Sequence, residues 1–332
     1  MQRTKNINEI AKRLGLAKST VSKALNNRSD VGEKTKKRVR QLAEKLNYVP
    51  NHFARALNFR KSKVIGIIMH NELHEEFFAQ VVWSITIELQ RCGYVAIFAS
   101  SQKSAAQEKA IIQEHIKRFV DGFILLPCAE TDAEFINDII AQGYKLVTLD
   151  NYVKEINAPF IGTDFITGSY LATRYLLDSG HRQIGHLAGP IWAASTKEQA
   201  AGYRKACLEA GLEGSSALTA NCEYNERAAR NRFMELKTRN PQMTAVHCAG
   251  LAMTNGILAG IGELGLSVPR DISIVDYGST SFISSINQKA VETGQTVSNV
   301  LLDLIDGKHV PDKSIIIPEL IIRNSSRRLN NM

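Results

Sequence analysis

From Val64 onward the sequence repeats one pattern: short, continuous apolar runs separated by longer amphipathic stretches. The runs are VIGIIM, YVAIFAS, GFILLP, KLVTLD, QIGHLAG, TAVHCAG and ISIVDYG, and between the first four lie Phe77–Cys92, Gln107–Val120 and Asp132–Gln142, each with helical length and spacing. A strand with one wet face alternates apolar and polar residues; a continuous apolar strand is covered on both faces, which predicts parallel sheets clothed by helices. Two such halves meet near Asp164, and strands near Val291–Val297 and Ile315–Ile322 are expected to cross back between them. Open parallel sheets bind ligands outside the carboxyl ends of their strands. That rule places a cleft wall at His70–Phe78, Asp150, Gly189–Gln199, Gly250 and Gly278.

The N-terminal segment has a different period. Ile7, Ile10, Ala11 and Leu14 recur at helical spacing, as do Val21, Ala24 and Leu25, and then Val39, Leu42, Ala43 and Leu46. Asn6 and Glu9 have the form of a capping box. The Leu14-Gly15-Leu16 turn precedes Ala17-Lys18-Ser19-Thr20-Val21-Ser22. Helix, tight glycine turn, helix is the helix-turn-helix order, in which the second helix offers its polar face to the DNA major groove.

Charge separates the two regions. Residues 1–63 hold 17 of the 41 Lys and Arg but only 4 of the 33 Asp and Glu, a balance of +13, whereas the remainder carries −5. Concentrated basic charge is the footprint of a phosphate-backbone binder. At 332 residues and 44% hydrophobic composition, the chain can bury a two-lobed core beside a small domain. No apolar run approaches the length of a membrane span and the N-terminus is too polar for a signal peptide, so a cytoplasmic protein is expected. Cysteines 92, 128, 207, 222 and 248 are scattered without a CxxC and read as reduced, mostly buried thiols; with the histidines equally dispersed, no metal or cofactor is expected. Ser195, His186 and Asp164 match a triad only by residue type, since nucleophile-elbow spacing is missing, and no enzyme is expected.

Ile7-x-Glu9-Ile10-Ala11, Leu14-Gly15, Ser19-Thr20-Val21-Ser22-Lys23-x-Leu25-Asn26, Val31-x-Glu33-x-Thr35 and Tyr48-x-Pro50-Asn51 with Ala54-Arg55-Ala56-Leu57 follow one another in fixed order. Together they resemble the headpiece of the lactose/galactose repressor family (LacI/GalR) of bacterial transcription factors. The resemblance implies a small all-α helix-turn-helix headpiece and an α/β periplasmic-binding-protein-like core of two doubly wound parallel-sheet lobes. It divides the chain into a headpiece (1–49), a hinge helix and linker (50–62) and an effector-binding and dimerisation core (63–332). In that core the N-lobe spans about 63–162 and 292–322, and the C-lobe about 163–291 and 323–332. By the same resemblance Lys18, Ser19 and Lys23 read base edges, and Thr20, Ser22, Asn26, Thr35, Tyr48 and Asn51 bind phosphates. Residues 50–63 match the hinge, with Ala54 at the DNA and Leu57 as the minor-groove wedge. Two departures stand out. Ala17 replaces the usual capping Ser, and Lys23 replaces the commoner Arg and so lacks the planar fork.

In the cleft, Asp150 matches a position that accepts from ligand hydroxyls and Phe77 and Phe78 match aromatic lining positions, although strand-end Asp residues are often caps and paired Phe often core. Three polar contacts of the family are absent. Gln199 stands for a ligand-clamping Arg, Gly250-Leu251 for Asn-Asp, and Gly278-Ser279 for Asp-Asp. Two readings follow: an atypical effector held by Trp192, Ser195, Lys197, Gln199 and His74, or a vestigial cleft with control by a protein co-regulator. The expected function is a dimeric regulator, a repressor of carbohydrate-related genes, on a pseudo-palindromic operator in double-stranded DNA, under a sugar or sugar-derivative effector. A solute-binding receptor without a DNA role is the rival from a different class, opposed by the basic headpiece. The tail NSSRRLNNM has no leucine heptad for a tetramer bundle, which leaves a homodimer.

Overall fold

The computed structural model describes residues 7–48, 62–70, 75–191, 193–212, 218–278 and 281–329. The chain divides into two compact units, Met1–Lys63 and Val64–Met332. The first is three helices, α1 (Ile7–Leu14), α2 (Lys18–Leu25) and α3 (Glu33–Lys45). Their apolar stripes meet in one core of Ile10, Ala11, Val21, Ala24, Val31, Val39, Ala43 and Leu46. Gly15 ends α1 in the left-handed region (φ +64°), where a residue with a Cβ is strained. Leu16 N–H then reaches back to the Ala11 carbonyl at 3.0 Å, the helix-terminating bond of a glycine cap.

The second unit holds two six-stranded sheets. The first is built from β1 (Val64–Met69), β2 (Val95–Ser100), β3 (Gly122–Leu125), β4 (Lys145–Leu149), β5 (Phe160–Thr163) and β11 (Lys313–Ile316), in the spatial order β11-β5-β4-β3-β1-β2. All its pairings are parallel, with Ile65 beside Gly122 and Thr148 beside Phe160. Side chains from β1 leave on both faces. Ile65, Ile67 and Met69 pack with α4 (Glu76–Arg91) and α11 (Ala290–Ile305), while Ile68 packs with α5 (Ala105–Lys117) and α6 (Ala133–Ala141).

The second sheet contains β6 (Ile184–Ala188), β7 (Thr219–Asn221), β8 (Ala245–Cys248), β9 (Ser273–Asp276), β10 (Ser284–Asn287) and β12 (Glu319–Ile321), in the order β12-β10-β9-β8-β6-β7. It is parallel except for the antiparallel β10–β12 pair at its edge. α7 (Phe165–Asp178) and α8 (Ala194–Glu209) cover one face; α9 (Glu226–Arg239) and α10 (Leu251–Glu263) cover the other. Gly202 lets α7 and α8 touch backbone to backbone, since a Cβ there would lie 2.2 Å from the Ile166 carbonyl oxygen.

Two expectations are corrected. Val291–Val297 is not a strand but part of α11, whose buried Ala290, Thr293, Gly294, Val297, Val300 and Leu301 repeat every three to four residues. Of the N-lobe's expected second piece, 292–322, only the part up to Ile316 joins the first sheet: Ile315–Ile322 crosses between the lobes as expected, and Leu320 pairs with Ile286 in the second. The chain therefore passes between the sheets three times, before α7, before α11 and between β11 and β12. No helix among the described residues is long and apolar enough to cross a membrane.

Candidate nucleic-acid interface and ligand cleft

In the first unit, α2 buries Val21 and Ala24 against its neighbours and leaves Lys18, Ser19 and Lys23 exposed. Thr20, Ser22, Asn26, Thr35 and Tyr48 are half-buried, and Asn26 Nδ2 donates to the Ser22 carbonyl at 2.8 Å. Burial pushes the Tyr48 phenol up from its ordinary pKa. Ala17 is the N-cap of α2 and offers its first amides no side-chain acceptor. Bare amides at a helix N-terminus carry partial positive charge and suit a phosphate. Lys23 Nζ is engaged by Asp30 Oδ2 at 2.6 Å, and that hydrogen bond holds the Asp30 carboxyl below the usual range. Asn51, Ala54 and Leu57 lie outside the described residues.

The second unit contains a cleft of about 880 Å³ at the carboxyl ends of strands from both sheets. His70 follows β1, Leu126 follows β3, Asp150 follows β4, Gly250 follows β8 and Gly278 follows β9, and all five line it. Phe77 and Phe78 line it from the first turn of α4, edge to face with ring centroids 5.1 Å apart. Asp150 is half-buried at the end of β4 with φ +63°, and its amide is held by the Ile161 carbonyl at 2.8 Å.

Ser195 and Gln199 reach the cleft from α8, one turn apart, whereas Lys197 points to solvent and is absent from the lining. Trp192 and His74 lie outside the described residues. Gly250 leaves open space where a side chain would begin. Gln199 is 2% exposed, and its Oε1 has no hydrogen-bond partner among the described residues. An unmet acceptor at such depth costs roughly 1–3 kcal/mol unless water or a ligand meets it.

Asp276, the last residue of β9, stands behind this wall. It is 0% exposed, accepts from Thr254 Oγ1 through Oδ2 at 2.6 Å, and has no partner for Oδ1 among the described residues. Burial raises its pKa to about 6, against the opposing pull of Thr254 and Arg323. A Cβ on Gly278 would lie 3.0 Å from Asp276 Oδ2, so the glycine makes room for the carboxyl. No group of three or more His, Cys, Asp and Glu among the described residues converges as a metal site.

The description "Bacterial regulatory proteins, lacI family" matches residues 6–51, and "Periplasmic binding protein-like domain" matches residues 173–326. The chain is 30% identical over 338 residues to the HTH-type transcriptional repressor PurR of Glaesserella parasuis serovar 5 (strain SH0165), covering 98% of this chain and 99% of that protein. It belongs to the lacI family of bacterial regulatory proteins. The PurR repressor of Pasteurella multocida (strain Pm70) is likewise 30% identical, over 96% of this chain and 98% of its own length.

Among solved structures, this lacI-family regulator shares its fold with the Lac repressor dimer bound to operator and the anti-inducer ONPF, at a TM-score of 0.86 and 24% identity over 98% of this chain and 100% of that one. A complex of the transcriptional regulator CelR with cellobiose superimposes at a TM-score of 0.72 and 25% identity, over 97% of this chain and 100% of that one. The helix-turn-helix headpiece joined to a periplasmic-binding-protein-like core is thus the architecture of a DNA-binding transcriptional regulator. The site residue that sequence reasoning missed in this lacI-family chain is Asp276. Its signal was a charged residue closing the largely apolar run ISIVD, two positions before Gly278.

Proposed function

We propose that this regulator is a homodimeric, cytoplasmic repressor that binds a pseudo-palindromic operator, one headpiece per half-site, and releases or holds it according to a small molecule in the cleft. The observation that carries the reading is the face of α2: Lys18, Ser19 and Lys23 exposed on one side, Val21 and Ala24 buried on the other, in a region of charge +13. A Lys ammonium can donate to guanine O6 and N7 and a Ser hydroxyl to several base edges, so these three residues choose sequence. Thr20, Ser22, Asn26, Thr35, Tyr48 and Asn51 hold the phosphates. Residues 50–62 act as the hinge, with Ala54 against the DNA and Leu57 as the wedge, and residues 63–332 form the effector-binding and dimerisation core. The carbohydrate-related gene set stays part of the proposal, supported by the two-lobed cleft.

An open cleft of about 880 Å³ favours an effector over a vestigial site. For dimerisation, the support is apolar exposure along one side of the first sheet. Trp83 on α4 is 61% exposed and Val95 on the edge strand β2 is 64% exposed, sizes of apolar surface that a partner would cover. The test is selection of bound sequences from random duplexes by the full-length protein, repeated with Lys18→Ala. The expected outcome is a pseudo-palindrome whose inner half-site preference relaxes in the variant, by about 1–3 kcal/mol of discrimination at the affected base pair. Uniform weakening on every sequence would remove Lys18 from base reading, and failure to select any duplex would remove the repressor reading.

A further inference from the structure

The cleft has a chemical bias that its residues state jointly. Its described lining carries four carboxylates, Glu75, Glu76, Asp150 and Glu155, against two amines, Lys103 and Lys154. Both lysines sit exposed, whereas Glu75, Glu76 and Asp150 are half-buried, so the negative charge lies deeper than the positive. These carboxylates reach across the cleft. Asp150 and Glu75 raise the Tyr224 phenol, on the opposite wall, beyond what its burial does, and Glu76 does the same to Asp276. Independently of charge, Gln199 lines the cavity and Asp276 lies just behind Gly278, and neither the buried Oε1 of the one nor the Oδ1 of the other is satisfied by any described residue. Gln199 also stands where the resemblance implies an Arg, and its neutral amide brings no positive charge to draw an anion.

Unmet acceptors want N–H or O–H donors, and a field of carboxylates favours a cation among them. Resting on the reading of this cleft as the effector site, we propose that its ligand is a small molecule bearing a protonated amine, such as an amino sugar or short polyamine, with Gln199 Oε1 and the Asp150 carboxylate receiving its N–H groups. An anionic ligand, a sugar acid or sugar phosphate, meets repulsion here.

The experiment is calorimetric titration and thermal melting of the full-length protein without DNA. The probes are glucosamine, putrescine and agmatine, compared with glucose, the phosphate ester of glucose and butanediol. A ligand that binds only the native state raises the melting midpoint in proportion to its concentration. At least one amine is expected to do so while its neutral and anionic counterparts do not. Gln199→Arg, which installs a cation, is expected to weaken that amine at least about tenfold, and Asp150→Asn, which keeps the shape and removes the charge, to weaken it similarly. Binding of the phosphate ester in preference to every amine, no response to any amine, or an amine affinity unchanged in both variants would overturn the proposal. Operator selection by the same preparation is read separately, so an inert cleft beside intact DNA binding sinks this inference and leaves the repressor reading standing.

Discussion

Asp276 is buried with no partner for its Oδ1 among the described residues, and burial, the largest influence on its carboxyl, sets the sign of its effect on stability. Its carboxyl titrates near 6 in the folded protein, above an ordinary value near 3.8, so the native state holds the proton more tightly than the unfolded chain. The contribution is therefore complete below about pH 4 and is lost as pH rises through 6, a swing of roughly 3 kcal/mol from two pKa units. Buried His247, depressed to about 4 by desolvation, acts in the opposite sense, favouring the native state above its ordinary 6.5 and withdrawing that support as pH falls. A single variant separates the two. Asp276→Asn is expected to stabilise the full chain against urea at pH 8 and to lose that advantage by pH 4; a gap that does not vary with pH would contradict the buried carboxyl. At this scale the sequence pointed to Gln199, Gly250 and Gly278 as cleft positions, and all three line the cavity. It did not single out Asp276. The Asp276 carboxyl is admitted by the absence of a side chain at Gly278, a proximity that exists only once the chain turns after β9. The Lys23–Asp30 pair was hidden for a similar reason, since it joins a helix to the loop after it.

Elements were legible in proportion to how plainly one period governed them. The helices of the headpiece and the buried central strands follow from their apolar repeats, and α1, β1, β3, β8 and β9 lie where those repeats put them. Chain order alone suggests a strand near Val291–Val297; the three-to-four-residue spacing of small and apolar residues through Leu301 makes it the helix α11 instead. β10, between β12 and β9, is a short strand of two serines, Ile286 and Asn287, with too little apolar content to stand out from loop. α2 has a measurable weakness of its own. Its N-cap is Ala17, which supplies no oxygen to the first amides. Ala17→Ser is expected to stabilise α2 by about 0.5–2 kcal/mol. Hydrogen exchange on the full chain checks it, with the amides of the first α2 turn slowing by about two- to thirtyfold and those of the second unit unchanged.

For the molecule as a whole, the exposed apolar residues make a prediction that no single element makes. If α4 and β2 face a second copy, Trp83→Lys places a charge where apolar surface must be desolvated. The variant is expected to sediment as a monomer at concentrations where the parent is a dimer. Its operator affinity should fall steeply, because each half-site would then be bound alone; an unchanged dimer would move the interface elsewhere. The path of the chain has a different consequence, for unfolding. β11 closes one edge of the first sheet and β12 one edge of the second, and only two residues separate them near the C-terminal end of the sequence. Each sheet is therefore incomplete along one edge until the segment Lys313–Ile321 is in place, β5 lacking β11 in the first sheet and β10 lacking β12 in the second. One short stretch of chain thus finishes both sheets, so loosening it would fray two lobes together instead of one.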